Sequence, residues 1–249
     1  MGRKGADRHM KRQVSPVSWP IPRKGYVWAV RPSPGPHGTA ESLPLGVVLR
    51  DMLGYADNLR EAEVILNAGR VKVDGKTRQD EGFPVGIMDV IELVDAKQYF
   101  RLLPSRKRPI LHAISRDEST FKLCRIESKT TVAGGHVQYN LHDGRNLLVR
   151  ISDPLRPQGN TYNRCDTLRI TVPELTVLDH LRFSEGLMAL VTGGGSSGRY
   201  GKIESIQKRG NFPDTVSLIS PEKTEIRTIV DYVFPIGVDS ALISLPKGV

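Results

Sequence analysis

The sequence predicts an α+β, mostly β protein that is modular. Two observations support this fold class. The first 42 residues are basic and rich in proline, and beyond them short helical patterns give way to apolar stretches with β alternation, bounded by turn signals. We therefore expect an extended basic arm, a small αβ unit, a central β-domain and a C-terminal β unit. Their predicted ranges are residues 1–42, 43–105, 106–177 and 178–249.

The predicted arm differs from the rest of the chain in charge. Between Met1 and Gly38, eight basic residues against one acidic residue give a net charge of +7, of a total of +9. Five prolines from Pro16 to Pro34 favour extended backbone, so the arm should order only against a partner, and removal of residues 1–30 should leave the globular part folded. Its three large aromatic residues, Trp19, Tyr26 and Trp28, should pack either on the protein's own domain or on unstacked bases. The candidate binding residues here are Arg3, Lys4, Arg8, His9, Lys11, Arg12, Trp19, Arg23 and Lys24.

Composition narrows the classes of function. The positive charge favours an anionic partner, nucleic acid first and an anionic membrane surface second. No apolar stretch approaches the roughly 20 residues that span a bilayer, no secretory signal is recognisable, and prolines disfavour a mitochondrial transit peptide. Cys124 and Cys165 form no CxxC pair, and the six histidines show no HExxH spacing. We expect no catalytic residues, no metal and no cofactor.

The αβ unit is predicted from helix signals followed by a hairpin. Ser42 can cap a first helix with Pro44 in its first turn. Asn58 and Glu61 have capping-box spacing at the start of a second helix, which Gly69 ends. Val71 and Val73 should point inward from a strand that turns at Asp74-Gly75, and a further strand is expected at Asp89–Val94. The cations on the outer face of this hairpin and on the first helix, Arg50, Arg70, Lys72 and Lys76, are candidate phosphate ligands. The alternative is a solvated strand face, since the unit from Leu43 to Val94 carries six basic and nine acidic residues.

Beyond the αβ unit the pattern is that of β-structure. A basic linker contributes Arg106, Lys107 and Arg108 as candidate ligands, and a hairpin turning at Asp143-Gly144 is expected in the central domain. Further strands are predicted at Leu187–Thr192, Lys202–Lys208, Thr215–Ser220, Ile226–Phe234 and Ala241–Leu245.

The loop at residues 193–201 is rich in glycine. Gly193, Gly195 and Gly198 satisfy GxGxxG, but a dinucleotide site needs a helix after the loop, and a strand is predicted there. Glycines let backbone N–H groups approach phosphates. We therefore interpret the loop as an RNA contact, the alternative being a loop tip without a partner. Its candidate residues, with those at the end of the following strand, are Arg199, Lys202, Lys208 and Arg209.

Two stretches resemble known motifs. The segment Leu43–Leu93, through Ala68-Gly69-Arg70-Val71-Lys72-Val73-Asp74-Gly75-Lys76, resembles the small RNA-binding fold shared by a bacterial ribosomal protein, some RNA-modifying enzymes and ribosome-rescue factors. The segment Ser184–Lys208, with Glu185-Gly186-Leu187 and Gly201-Lys202-Ile203, looks like a KOW motif. That motif belongs to small SH3-like barrels in ribosomal proteins and elongation factors.

In this order, and behind Gly2-Arg3-Lys4-Gly5 and His9-Met10-Lys11-Arg12, the two motifs resemble the archaeal/eukaryotic-type small-subunit ribosomal protein four family (ribosomal protein S-four-e), and the archaeal members in particular. The resemblance implies a structural protein that binds small-subunit ribosomal RNA in the cytoplasmic ribosome. It further implies a KOW-like SH3-type barrel at 178–249. Expected partners are this RNA and neighbouring ribosomal proteins, with no membrane and no homo-oligomer. Two alternatives remain, an RNA-modifying enzyme of the pseudouridine synthase type and a KOW-containing transcription elongation factor.

Overall fold

The computed structural model describes residues 9–151, 162–210 and 212–246. Within these ranges strands predominate, and α-helix is confined to two short segments, α1 (Leu45–Val47) and α2 (Leu59–Asn67). The mostly β architecture predicted from the sequence is confirmed.

From residue 9 onward, the predicted arm is folded onto the αβ unit. Its strands β1 (Met10–Lys11) and β2 (Trp28–Ala29) form a two-stranded antiparallel ribbon. Between them, Trp19 and Ile21 are buried in the same core as α1 and α2, and Nε1 of Trp19 donates to the Ser42 carbonyl at 2.9 Å. The expectation that this segment orders only against a partner is therefore wrong for the described part of it. Burial of one tryptophan removes about 150–250 Å² of surface from water, which offsets the entropy lost by ordering the segment.

The αβ unit begins differently from its sequence prediction. Ser42 does not cap a helix but lies in β3 (Ser42–Pro44), and Pro44 holds the N-cap position of α1, which continues as a π-helical turn at Val48–Met52. The second helix starts as predicted, because Oδ1 of Asn58 accepts from the Glu61 N–H at 3.0 Å. It also ends as predicted, with Gly69 in the left-handed region at φ 71°.

The strands of this unit extend beyond its predicted boundary. Five of them form one antiparallel sheet in the order β5-β4-β7-β8-β9, while β3 pairs with β6. Because β8 pairs with β9, the predicted boundary between residues 105 and 106 falls inside a hairpin. The part of the basic linker that contains Arg106, Lys107 and Arg108 is the loop of this hairpin, whereas Arg101 lies on β8 itself. The strands are β4 (Val71–Val73), β5 (Lys76–Thr77), β6 (Pro84–Gly86), β7 (Val90–Leu93), β8 (Gln98–Leu103) and β9 (Ile110–Ile114).

The central domain is an antiparallel sheet in the order β12-β11-β10-β13-β14. Its longest strand, β10, pairs with β13 through its first half and with β11 through its second, and its register shifts between Ile126 and Ser128. The predicted boundary between residues 177 and 178 lies within β14. The strands are β10 (Phe121–Thr131), β11 (Val137–Leu141), β12 (Asn146–Val149), β13 (Thr167–Thr171) and β14 (Val177–Leu181).

The C-terminal unit is a third antiparallel sheet, in the order β18-β17-β16-β15-β19. A 3-10 turn at Val230–Tyr232 divides the predicted strand Ile226–Phe234 in two, and the predicted strand Ala241–Leu245 is irregular. Ile243 is nevertheless buried, in a core that it shares with Leu190 and Phe234. The apolar residues of the segment 241–245 therefore pack in the core without pairing as a strand. The strands are β15 (Met188–Val191), β16 (Tyr200–Gln207), β17 (Thr215–Ile219), β18 (Glu225–Ile229) and β19 (Val233–Gly237).

A buried charge cluster joins the αβ unit to the central domain. Nζ of Lys122, on β10, donates to Asp74 at 2.9 Å, to Asp143 at 3.1 Å and to Asp89. Asp74 belongs to the β4–β5 turn and Asp143 to the β11–β12 turn, so both predicted turn residues also bind this lysine. Burial lowers the pKa of Lys122, but the three carboxylates outweigh burial and hold that pKa well above its ordinary value. The cluster therefore connects the two sheets through buried ion pairs.

Arg125 joins the central domain to the C-terminal unit. Its Nη1 donates to the carbonyls of Asp231 at 2.6 Å and Val233 at 2.9 Å, and its Nε donates to Glu127 at 3.0 Å. A guanidinium suits this position because several donors in a fixed plane reach several acceptors at once.

Candidate nucleic-acid interface

A groove of about 660 Å³ lies where the units meet. It is lined by residues of the segment 37–43, by the whole β8–β9 loop at 104–109, and by Arg125 and Glu127 of β10. Thr192, the glycine-rich loop (through Gly193, Gly194 and Ser197) and Tyr232 also line it. We call it the junction groove. Its volume falls within the range of clefts that enclose small ligands, so it has room for a nucleotide. Residues far apart in sequence form its walls.

The cations of the β8–β9 loop are the lining residues of this groove that can bind an external anion. Arg106, Lys107 and Arg108 are exposed, and within residues 9–151, 162–210 and 212–246 none of the three forms an ion pair. The other two cations of the groove are engaged, Arg125 by the carbonyls described above and Arg164 by Asp231 at 2.9 Å. The loop therefore offers its positive charge to an external anion.

The glycine-rich loop also lines the groove and connects β15 to β16. Because a strand follows the loop, the structure confirms that it lacks the helix of a dinucleotide site. A Cβ atom at Gly193 would lie 2.7 Å from the Tyr232 ring, so glycine permits the tyrosine to pack on this backbone. Arg199 is exposed, and Lys202 lies 3.8 Å from Asp239 with both side chains more than half exposed. Lys208 and Arg209 are exposed at the end of β16, outside the groove lining.

The cations of the αβ unit are mostly neutralised by their neighbours. Arg50 pairs with Asp51 at 2.8 Å, Arg70 with Asp95 at 3.2 Å and Lys72 with Glu92 at 3.7 Å. Lys76 is exposed and has no ion pair among the described residues. The acidic excess of this unit accounts for the pairing and makes the hairpin face a weaker anion site than its sequence suggests.

In the N-terminal segment, two predicted ligands have structural positions instead. Trp19 lies in the core, and Arg12 is buried, with Nη1 donating to Ser15 at 2.7 Å and Nη2 to the Ile21 carbonyl at 2.7 Å. These contacts correct the prediction that both meet RNA. Lys11, Arg23 and Lys24 are exposed, as is His9, whose ring lies 5.7 Å from that of Trp28. Arg3, Lys4 and Arg8 lie outside the described residues.

Two exposed aromatic residues were missing from the predicted site. Trp28 is 58% exposed and Tyr26 55%, whereas Trp19 is fully buried. The nearest sequence signal is that Trp19 lies two positions before Ile21, which is buried in the same core, while glycine and charged residues precede Tyr26.

Three residues of the described chain, Cys124, His142 and Asp143, bring potential metal ligands within 4.8 Å of one another. Both ring nitrogens of His142 are engaged, Nδ1 by the Arg125 N–H at 3.2 Å and Nε2 by the Ile87 carbonyl at 3.2 Å, and Asp143 binds Lys122. Burial, together with the charge of Lys122, lowers the pKa of His142 to about 3. These contacts fit a neutral structural histidine, and the expectation of no metal stays a prediction.

No helix within the described ranges is long and apolar enough to cross a membrane.

Comparisons with known proteins bear on the whole chain. The model of ribosomal family S4e matches residues 96–177, that of the RS4NT (NUC023) domain residues 4–40, and that of the S4 domain residues 44–91. The S4 match lies within the stretch for which the sequence suggested a small RNA-binding fold.

Curated relatives match over nearly their full length. Small ribosomal subunit protein eS4 of Desulfurococcus amylolyticus is 47% identical, covering 100% of this chain and 99% of the relative. The proteins of the same name from Aeropyrum pernix and Methanocaldococcus jannaschii are 48% and 44% identical, covering 100% and 98% of this chain and 99% and 100% of theirs.

A solved structure supports the same grouping. The crystal structure of 30S ribosomal protein S4e from Thermoplasma acidophilum matches with a TM-score of 0.66 and 29% identity, covering 79% of this chain and 95% of that one. The match to a ribosomal protein family, and to relatives named as small ribosomal subunit proteins, confirms the expectation that the protein is not an enzyme. Because archaeal relatives that are 47% and 48% identical match along the whole chain, this chain belongs to the ribosomal family S4e, in its archaeal branch.

Proposed function

We propose that this protein is a structural constituent of the small ribosomal subunit that holds small-subunit ribosomal RNA in the cytoplasmic ribosome. The observation that carries the proposal is the junction groove, which is lined both by the unpaired cations of the β8–β9 loop and by the glycine-rich loop. The names of the archaeal relatives support the same role. The protein acts as a single copy, with ribosomal RNA and neighbouring ribosomal proteins as partners and no membrane.

Binding at the groove is electrostatic. Arg106, Lys107 and Arg108 replace the counterions around RNA phosphates, which makes affinity depend steeply on salt. Glycines of the glycine-rich loop let backbone N–H groups approach phosphate oxygens. Exposed cations on other elements, Lys76, Arg199, Lys202, Lys208, Arg209, Arg23 and Lys24, extend the contact over a folded RNA surface.

The finer architecture of the C-terminal unit belongs to the same proposal. We infer that residues 178–249 contain a KOW-like SH3-type barrel. The support is a five-stranded antiparallel sheet in which the last strand, β19, returns to pair with the first, β15, after a 3-10 turn. Such a barrel presents its loops on a rigid support, so the glycine-rich loop keeps its position when RNA binds.

The test measures the affinity of the full chain for small-subunit ribosomal RNA over a series of salt concentrations. Replacing Arg106, Lys107 and Arg108 together by alanine should weaken binding and reduce the slope of log affinity against log salt by about 2 to 3, since each phosphate contact contributes roughly 0.7–0.9. A control variant replaces three exposed arginines outside the groove lining, Arg60, Arg116 and Arg227, and should change the slope less. Equal slopes for the two variants would contradict the assignment of the groove.

A further inference from the structure

The β1–β2 ribbon leaves much of its aromatic surface exposed, although the His9 ring lies 5.7 Å from that of Trp28. Trp28 is 58% exposed, Tyr26 55% and Val27 68%. Exposed aromatic groups grouped on a few neighbouring residues mark an interaction site more often than chance exposure does.

The surroundings of this aromatic surface are cationic. Strand pairing sets Lys11 directly opposite Trp28, which brings their Cβ atoms to about 4.5–5.5 Å. The guanidinium of Arg50 lies 5.3 Å from the centre of the Tyr26 ring and also pairs with Asp51, and Arg23 and Lys24 are exposed in the preceding turn. No aspartate or glutamate occurs between residues 8 and 40. This charge complements a polyanion, whereas an apolar protein partner needs no such concentration of cations.

The ribbon is held in place by the protein itself. Trp19 and Ile21 anchor the connection between the two strands in the core, and Arg12 binds the Ile21 carbonyl within it. Its aromatic rings are thus presented on a fixed support, which reduces the entropy lost when a partner binds.

We propose that the β1–β2 ribbon binds single-stranded RNA by stacking an unpaired base on Trp28, with Lys11 and Lys24 at the adjacent phosphates. The proposal rests on the proposed function, and it adds to the groove a second site that selects unpaired nucleotides. Aromatic rings and bases stack whatever the base, and nearby cations bind the backbone between successive bases, so the site tolerates many sequences.

Intrinsic fluorescence isolates this site, because the chain has two tryptophans, one buried and one exposed. The probe is a short oligouridylate, with an RNA duplex of equal length as control. The single strand should quench the emission of the unchanged protein and the duplex should not. In Trp28→Phe, where emission comes from the buried Trp19, the single strand should leave emission unchanged while binding persists.

Affinity provides the second readout. Trp28→Ala should bind the oligouridylate about 5- to 150-fold more weakly, the factor that corresponds to the roughly 1–3 kcal/mol of one stacked base. Trp28→Phe should retain most of the affinity, Trp28→Leu should lose it although its side chain is apolar, and the exposed control Val17→Ala should match the unchanged protein. Thermal unfolding of each variant establishes that it is folded.

Full affinity in folded Trp28→Leu would overturn stacking, and so would equal quenching by the duplex. If these results coincide with a reduced salt slope in the β8–β9 loop variant, stacking fails and the groove assignment stands. If ribosomal RNA binds neither site, both proposals fail.

Discussion

Lys122 shows how one buried side chain couples two modules. Its three carboxylate partners come from positions 48, 33 and 21 residues away along the chain. Burial raises the pKa of Asp89, but the charge of Lys122, with that of His37, outweighs this effect and holds the pKa of Asp89 well below its ordinary value. A buried cluster of this kind contributes modest net stability while intact, and its disruption is costly.

Replacing Lys122 by methionine should lower the free energy of unfolding by about 3–5 kcal/mol, because the carboxylates lose their buried counter-charge. Urea unfolding at neutral pH measures this loss. The control, Lys76→Met on the exposed strand β5 of the αβ unit, should change stability by about 0.5 kcal/mol or less.

The pH dependence of the stability loss distinguishes the missing charge of Lys122 from a simple steric misfit of the methionine side chain. Without Lys122, the pKa values of Asp89 and Asp143 rise relative to those in the intact cluster, because burial raises them and the lysine charge no longer lowers them. The variant therefore loses less stability than the unchanged protein as pH falls, and the deficit shrinks toward about pH 4. A deficit that is independent of pH would contradict the charge explanation.

At the scale of single elements, close strand packing determines where glycine is needed. On β16, a Cβ atom at Gly201 would lie 2.4 Å from the carbonyl oxygen of Ile219, a backbone atom of the neighbouring strand β17. By contrast, a Cβ atom at Gly195, at the loop tip, would have no such neighbour within 4 Å. The same residue type therefore has a steric role in the strand and none at the tip.

Gly201→Ala should destabilise the C-terminal unit by about 1–3 kcal/mol, the usual cost of forcing extra volume into packed structure. Because the obstructing atom is backbone, β16 or β17 must shift. Thermal or denaturant unfolding measures the effect, with Gly195→Ala as the control that leaves stability nearly unchanged. Equal stability of the two variants would show that the sheet is looser than described.

For the whole molecule, the N-terminal segment belongs to the fold as well as to the binding surface. Residues 9–42 supply Trp19 and Ile21 to the core of the αβ unit, and His37 binds Asp89 at 3.0 Å beside the charge cluster. The segment therefore links the first core to the interface between the first two sheets.

Two truncations should separate the contributions of this segment. Removing residues 1–30 deletes two core side chains, each worth about 2–5 kcal/mol, and should destabilise or unfold the αβ unit. Removing residues 1–8 leaves the core intact and should preserve the unfolding temperature, while it lowers RNA affinity through the loss of Arg3, Lys4 and Arg8. Calorimetry and RNA binding on the same samples measure both effects. If the deletion of residues 1–30 left the unfolding temperature unchanged, the segment would be dispensable for folding, as its sequence predicts.

The sequence by itself determined the local features of this protein. Strand alternation, the Asn58 cap, the Gly69 helix end and the Asp74-Gly75 turn all depend on residues within a few positions of one another, and backbone preferences act over that range. The charge of the N-terminal segment and the family resemblance are likewise readable without coordinates.

The tertiary structure alone decided which residues are free to bind. It buried Trp19 and exposed Trp28, and it engaged Arg12 within the core while it left Arg106 unpaired. It also placed Arg106, Lys107 and Arg108 in a hairpin loop that lines the same groove as the glycine-rich loop. Burial often depends on distant partners, such as Ser42 for Trp19 and Asp74 for Lys122, and local composition carries no record of where those partners will lie.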